Sequence, residues 1–158
     1  MITEHAAILG SRHFVWPDEA ACAAWANALA VRPALRYAFI ELHGSLGAGK
    51  TTCVRHLLRA LGVQGRIKSP TYAVLEVYAL AGLQISHFDF YRFTQAGEWA
   101  DAGFRDIFAA PGLKLAEWPA NAGALLPLAD LRVHIEVLED DSRSVRVEAG
   151  SALGLELL

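Results

Sequence analysis

Cysteine, long apolar runs and a surplus of either charge are what this sequence has least of, and each shortage closes off a class of function. Only two cysteines occur, Cys22 and Cys53, both within apolar stretches of helical pattern. Set among apolar neighbours, they are expected to be small core residues rather than a disulfide or metal pair. No apolar run approaches the ~18–20 residues of a membrane-spanning helix. The first residues also lack the basic start and long apolar stretch of a signal peptide, so no membrane association is expected and the cytoplasm is the default location. Fourteen basic against seventeen acidic residues leave a formal net charge of −3. There is thus no global positive field with which to hold nucleic acid unaided. Repeats, low-complexity stretches and linkers are missing as well. The 158 residues, 54% apolar and 20% charged, suit one well-buried globular domain spanning 1–158.

What is present centres on Gly44-Ser45-Leu46-Gly47-Ala48-Gly49-Lys50-Thr51-Thr52. Gly44, Gly49, Lys50 and Thr51 fall in the spacing G-x-x-x-x-G-K-[ST], which matches what a nucleoside triphosphate demands. Glycine at 44, 47 and 49 permits positive φ and close backbone approach, so that successive N–H groups turn toward phosphate oxygens. A helix beginning near Lys50 adds the positive end of its dipole. Leu46, Ala48 and Thr52 complete the expected phosphate cradle. Lys50 is placed to reach the β- and γ-phosphates, and the Thr51 hydroxyl to ligate Mg²⁺. The flanks agree with this reading, because Tyr37 to Leu42 is a β-prone run. Val54, Leu57, Leu58 and Leu61 then follow at helical spacing, up to Gly62 as a C-terminal stop.

Elsewhere, residues 18–30 predict an Ala-rich helix with acidic residues in its first turn, ended by Pro33. Residues 65–72 predict a polar loop pinned by Pro70. Tyr72 to Tyr78 and Leu83 to Phe90 read as two strands around a short Ala-Gly break, an antiparallel hairpin that makes the sheet mixed. An acidic, aromatic helix-and-loop segment covers 94–110, broken at Gly97 and Gly103, with Trp99, Phe104 and Phe108 expected in the core. A short strand over Leu113 to Glu117 precedes Trp118-Pro119. Leu131 to Leu138 alternates apolar and polar residues, and Val145 and Val147 pair back on it as a second hairpin with one wet face.

A triphosphate site also needs acids to hold Mg²⁺ or position water, commonly at the end of a strand beside the loop strand. Asp89 and Glu117 end such strands. Ser86, His87 and Lys114 interrupt the apolar runs before them, so each acid reads equally well as a site ligand or as an ordinary strand-end carboxylate. His87 reads as a hydrogen-bonded sheet histidine, with catalysis the lesser alternative. Arg92 suits either a local ion pair or a phosphate, and Ser69 and Thr71 suit either the Pro70 turn or a γ-phosphate sensor.

Taken in order, the loop, Lys68-Ser69-Pro70-Thr71-Tyr72, His87-Phe88-Asp89-Phe90-Tyr91-Arg92, Gly103 to Phe108, Glu117-Trp118-Pro119 and Leu125-Leu126-Pro127 resemble the bacterial TsaE (YjeE) ATPases of tRNA threonylcarbamoyladenosine modification. The resemblance spans Gly44 to Pro127, with Phe90 standing where that family usually has Leu. It implies an α/β fold of the P-loop NTPase kind, in three layers with a mixed parallel and antiparallel sheet. It further implies ATP and Mg²⁺ as ligands, weak intrinsic hydrolysis, the TsaB–TsaD heterodimer as partner, and only indirect contact with tRNA. Lys50, Asp89 and Glu117 are then the expected catalytic residues, and Thr51, Asp89 and Glu117 the expected metal ligands. The alternative is a small-molecule kinase, which shares the loop but ordinarily brings an Arg-bearing lid. Here Arg143 and Arg146 fall in the C-terminal hairpin instead. A GTPase would need a guanine-reading Asn-Lys-x-Asp motif, and the sequence has none.

Overall fold

The computed structural model describes residues 7–93 and 103–158, so Gly97 and Trp99 of the expected 94–110 segment lie outside the described residues. Seven strands are formed: β1 (Gly10–Trp16), β2 (Phe39–His43), β3 (Leu75–Leu80), β4 (Leu83–Asp89), β5 (Leu113–Glu117), β6 (Leu131–Val137) and β7 (Arg143–Ala149). They make one sheet in the order β1-β7-β6-β2-β5-β4-β3. β2 runs parallel to both β5 and β6, and β4 runs parallel to β5. The β3–β4 and β6–β7 hairpins and the β1–β7 pair are antiparallel. The sheet is therefore mixed, as the two expected hairpins require. β1 was not expected from the sequence.

Helices α1 (Glu19–Ala30) and α2 (Lys50–Leu61) cover one face of this sheet, while α3 (Phe104–Ala109) lies on the other; a short α4 (Ala152–Leu155) follows β7. Alternation along the strands produces the two layers of core. Ile40, Leu42, Leu113, Leu115, Val133 and Val145 turn toward α1 and α2 and meet Ala26, Leu29, Val54, Leu57 and Leu58. On the opposite side Phe39, Phe88 and Ala116 meet Phe104 of α3, with Phe108 packed alongside. Cys22 of α1 and Cys53 of α2 are buried free thiols in that first layer, as expected.

Two element boundaries differ from expectation for visible reasons. Pro33 does not merely stop α1, which ends at Ala30; it opens a 3-10 turn over Pro33–Tyr37, and this delays β2 to Phe39. β3 starts at Leu75 rather than Tyr72, because Val74 sits at φ 69° and its N–H turns back to the Pro70 carbonyl at 2.5 Å. Among the described residues no helix is long and apolar enough to cross a membrane.

Candidate functional site

Gly44 leaves the end of β2 in a space where a Cβ would lie 2.6 Å from the Ile135 carbonyl oxygen, so the chain can pass β6 at this point only as glycine. Gly47 and Gly49 have a different reason to be glycine. Both have positive φ, and nothing lies within 4 Å of where a Cβ would stand, so the loop is open on that side. Gly49 is the N-cap of α2 and brings no side chain to cap it. The first helical bond is Cys53 N–H to Gly49 O at 2.9 Å. The N–H groups of Lys50, Thr51 and Thr52 thus have no acceptor within the helix, and they form the positive end of its dipole.

Lys50 is largely buried, and its ammonium donates to the carbonyls of Gly44 and Ser45 at 2.6 and 2.9 Å. The Trp118 ring lies beneath it, 4.1 Å from Nζ to the ring centroid. Burial lowers the proton affinity of this lysine, and the nearby Glu117 and Asp89 work against that shift. Trp118 adopts a left-handed conformation at φ 54°, an uncommon setting for a residue with a side chain.

Both acids reach the loop through sheet register. Glu117 ends β5 opposite Leu42 of the loop strand, and Asp89 ends β4 opposite Glu117. The Thr51 hydroxyl donates to Glu117 Oε1 at 2.7 Å, and His87 Nε2 bonds Glu117 Oε2 at 2.6 Å. Asp89 accepts from Tyr91 N–H at 2.8 Å and from the Thr71 hydroxyl at 3.0 Å; Thr71 is itself hydrogen-bonded to Ser69 at 2.9 Å. Burial raises the Asp89 carboxyl above its ordinary range. The Tyr91 N–H opposes this shift, and the charge of Glu117 adds to it. Lys50, Thr51, Thr71, Asp89, Glu117 and Trp118 line one cavity of about 250 Å³. Among the described residues no group of three or more His, Cys, Asp or Glu side chains could hold a metal. Two carboxylates and a hydroxyl match the modest demand of Mg²⁺, which keeps waters and phosphate oxygens in its shell.

On its other side the loop borders a cavity of about 440 Å³, lined among others by Trp16, Asp18, Cys22, Ala48, Thr52 and Arg143. Sequence reasoning did not anticipate this cavity. Arg143, set apart as a hairpin arginine, donates from Nε to the Ala48 carbonyl at 3.1 Å across 95 residues of sequence. No local signal announces such a contact. Trp16 closes β1, whose outward face carries the apolar Val15, so the strand has no clear alternation by which to find it. Arg92 settles over the Tyr72 ring, 4.7 Å from its centroid, and Tyr72 is 84% exposed.

Comparison with known proteins adds a separate line. Residues 16–145 match the family described as threonylcarbamoyl adenosine biosynthesis protein TsaE. The chain is 41% identical over 119 residues to a tRNA threonylcarbamoyladenosine biosynthesis protein TsaE of Haemophilus influenzae, an alignment covering 75% of each chain. It is 33% identical over 110 residues to the protein of that name from Bacillus subtilis, covering 70% of this chain and 68% of the other. The crystal structure of Bacillus subtilis YdiB superposes with a TM-score of 0.78 at 26% identity, covering 94% of this chain and 91% of that one.

Proposed function

Because the chain belongs to the TsaE family, we propose that it binds ATP with Mg²⁺ and acts as a weak, partner-stimulated ATPase in the cytoplasm. Its target in this reading is the TsaB–TsaD complex, through which it supports threonylcarbamoyladenosine modification of tRNA, meeting the tRNA only indirectly. The observation that carries the reading is the convergence of Lys50, Thr51, Asp89 and Glu117, from the loop and two strand ends, on one cavity.

In this reading Lys50 exchanges the Gly44 and Ser45 carbonyls for phosphate oxygens, and the free N–H groups at the start of α2 donate to the same phosphates. Gly44, Leu46, Gly47, Ala48, Gly49 and Thr52 shape that cradle through their backbone. The nucleoside would enter the cavity beside Trp16 and Arg143. Thr51, Asp89 and Glu117 would hold Mg²⁺, which when bound supplies positive charge against the β- and γ-phosphates. Glu117 or Asp89 would orient the attacking water. The Thr71–Asp89 bond links the Ser69-Pro70-Thr71-Tyr72 loop to the acids, so nucleotide state can bias that loop, and the exposed Tyr72 can present the result to the partner. Net charge −3 argues for signalling through protein contact rather than tRNA capture.

Titrating the TsaB–TsaD heterodimer with the protein bearing a non-hydrolysable ATP analogue, ADP or no nucleotide tests this. A coupling of about 1–3 kcal/mol predicts ~5–150-fold tighter association in the ATP state. Equal affinities in the three states would rule out the switch. Transfer of phosphate to a small-molecule acceptor in a nucleotide panel would support the kinase alternative.

A further inference from the structure

We propose that His87 is a positioning residue for Glu117, fixing the carboxylate so that it presents one defined oxygen to the phosphate loop. The inference rests on the ATPase reading for its kinetic arm only. His87 is 0% exposed and Glu117 2%, and their 2.6 Å bond is as short as that of a strongly charge-assisted pair. His87 stands two register pairs before Asp89 and Glu117, opposite Leu115, so its bond reaches diagonally from β4 to the end of β5. It therefore acts directly on the spacing of the two acids.

A carboxylate held at one oxygen still swivels. Glu117 is held at both, by His87 on Oε2 and by the Thr51 hydroxyl on Oε1. If the Thr51 hydroxyl is drawn toward a metal, His87 is the remaining side-chain partner among the described residues that keeps Oε1 aimed at the loop. The tautomer follows from the partners. A carboxylate accepts, so Nε2 carries the hydrogen of this bond; the buried Nδ1 has no partner among the described residues.

His87→Gln places an amide donor at nearly the reach of Nε2, whereas His87→Leu keeps bulk and removes the donor. Partners of this kind are ordinarily worth ~10–100-fold in activity or metal affinity. The expected result is a fall of that size in the TsaB–TsaD-stimulated kcat of His87→Leu. ATP affinity should stay within about threefold, and His87→Gln should recover most of the loss. In a Glu117→Gln background the leucine substitution should cost little further. Equal loss in the Gln and Leu variants, an undiminished kcat in His87→Leu, or additive losses in the double variant would each overturn the proposal.

Proton NMR of ¹⁵N-histidine-labelled protein gives a readout that needs no turnover. A far-downfield Nε2–H resonance assigned to His87, shifted upfield in Glu117→Gln, is expected; its absence from the unmodified protein overturns the proposal. An unmodified protein that shows this resonance but never hydrolyses ATP would leave the positioning intact and sink the ATPase reading alone. Should His87→Leu fail to fold, the Gln variant and the resonance decide the matter.

Discussion

Residues 44–52 are neighbours in sequence and form the glycine-rich loop before α2, whereas the acids that face them are 28 residues apart and meet through β4–β5 register. The loop carries its geometry in glycines and a helix start. The acids carry none of theirs: Asp89 and Glu117 are placed by strands paired along their length, then aimed by His87, Thr51 and Thr71. The loop meets the rest of the fold at few points, Ile135 and Arg143 among them, whereas the acids depend on strand register along its length. In the proposed ATPase the first half is the one suited to binding and the second the one suited to turnover.

Lys50→Ala tests that division most severely. It removes the one loop cation directed at the phosphates, and loss of charge-assisted bonds worth about 2–3 kcal/mol should weaken ATP binding by roughly 30–150-fold in calorimetry. Unchanged affinity would break the comparison at its first term. Glu117→Gln keeps shape and removes charge. Stimulated hydrolysis should fall about tenfold or more while the ATP Kd moves less than about threefold; a parallel loss of both would make the acid side a binding element too.

Gly44→Ala probes the point at which the loop passes β6, because the added Cβ meets the Ile135 carbonyl. Strain of about 1–3 kcal/mol should lower the Tm by roughly 3–10 °C in a thermal melt. A Gly47→Ala variant, strained at φ 80° but free of contacts, should lose less. The smallest effect belongs to Asp89→Asn. With its proton affinity raised by burial, Asp89 binds a proton more tightly folded than unfolded, so its contribution to stability falls as pH rises through the interval above the ordinary carboxylate pKa. Asparagine abolishes that dependence, and the nucleotide-free protein should melt about 1–3 °C higher than the parent at pH 7. A lower Tm at pH 7 with no change in the pH profile would show that the carboxylate is not under strain there.

The same contrast explains what could be read before the fold was seen. The loop, its helix and both hairpins follow from spacing alone. The acids could be nominated from strand ends, yet Ser86, His87 and Lys114 obscured their strands. Two of those interruptions have structural causes: His87 serves Glu117, and the Lys114 ammonium donates to the Ala110 carbonyl at the end of α3. β1 escaped because it is an edge strand whose outward residues include Val15, 53% exposed, so that its alternation blurs. Arg143 escaped because nothing near it in sequence foretells Ala48.

The Arg143–Ala48 contact has a consequence for how the protein is made. Ninety-five residues separate its two ends, so at ~5–20 residues per second a ribosome completes the glycine-rich loop roughly 5–20 s before it adds the guanidinium that bonds it. β6, whose Ile135 carbonyl confines Gly44, and β7, which alone pairs with β1, are added within the same late interval. A nascent chain thus contains all of residues 44–52 before it contains Ile135 and Arg143, which border them in the folded protein. Residues 44–52 therefore meet the surroundings that confine them in the folded protein only once β6 and β7 have been made.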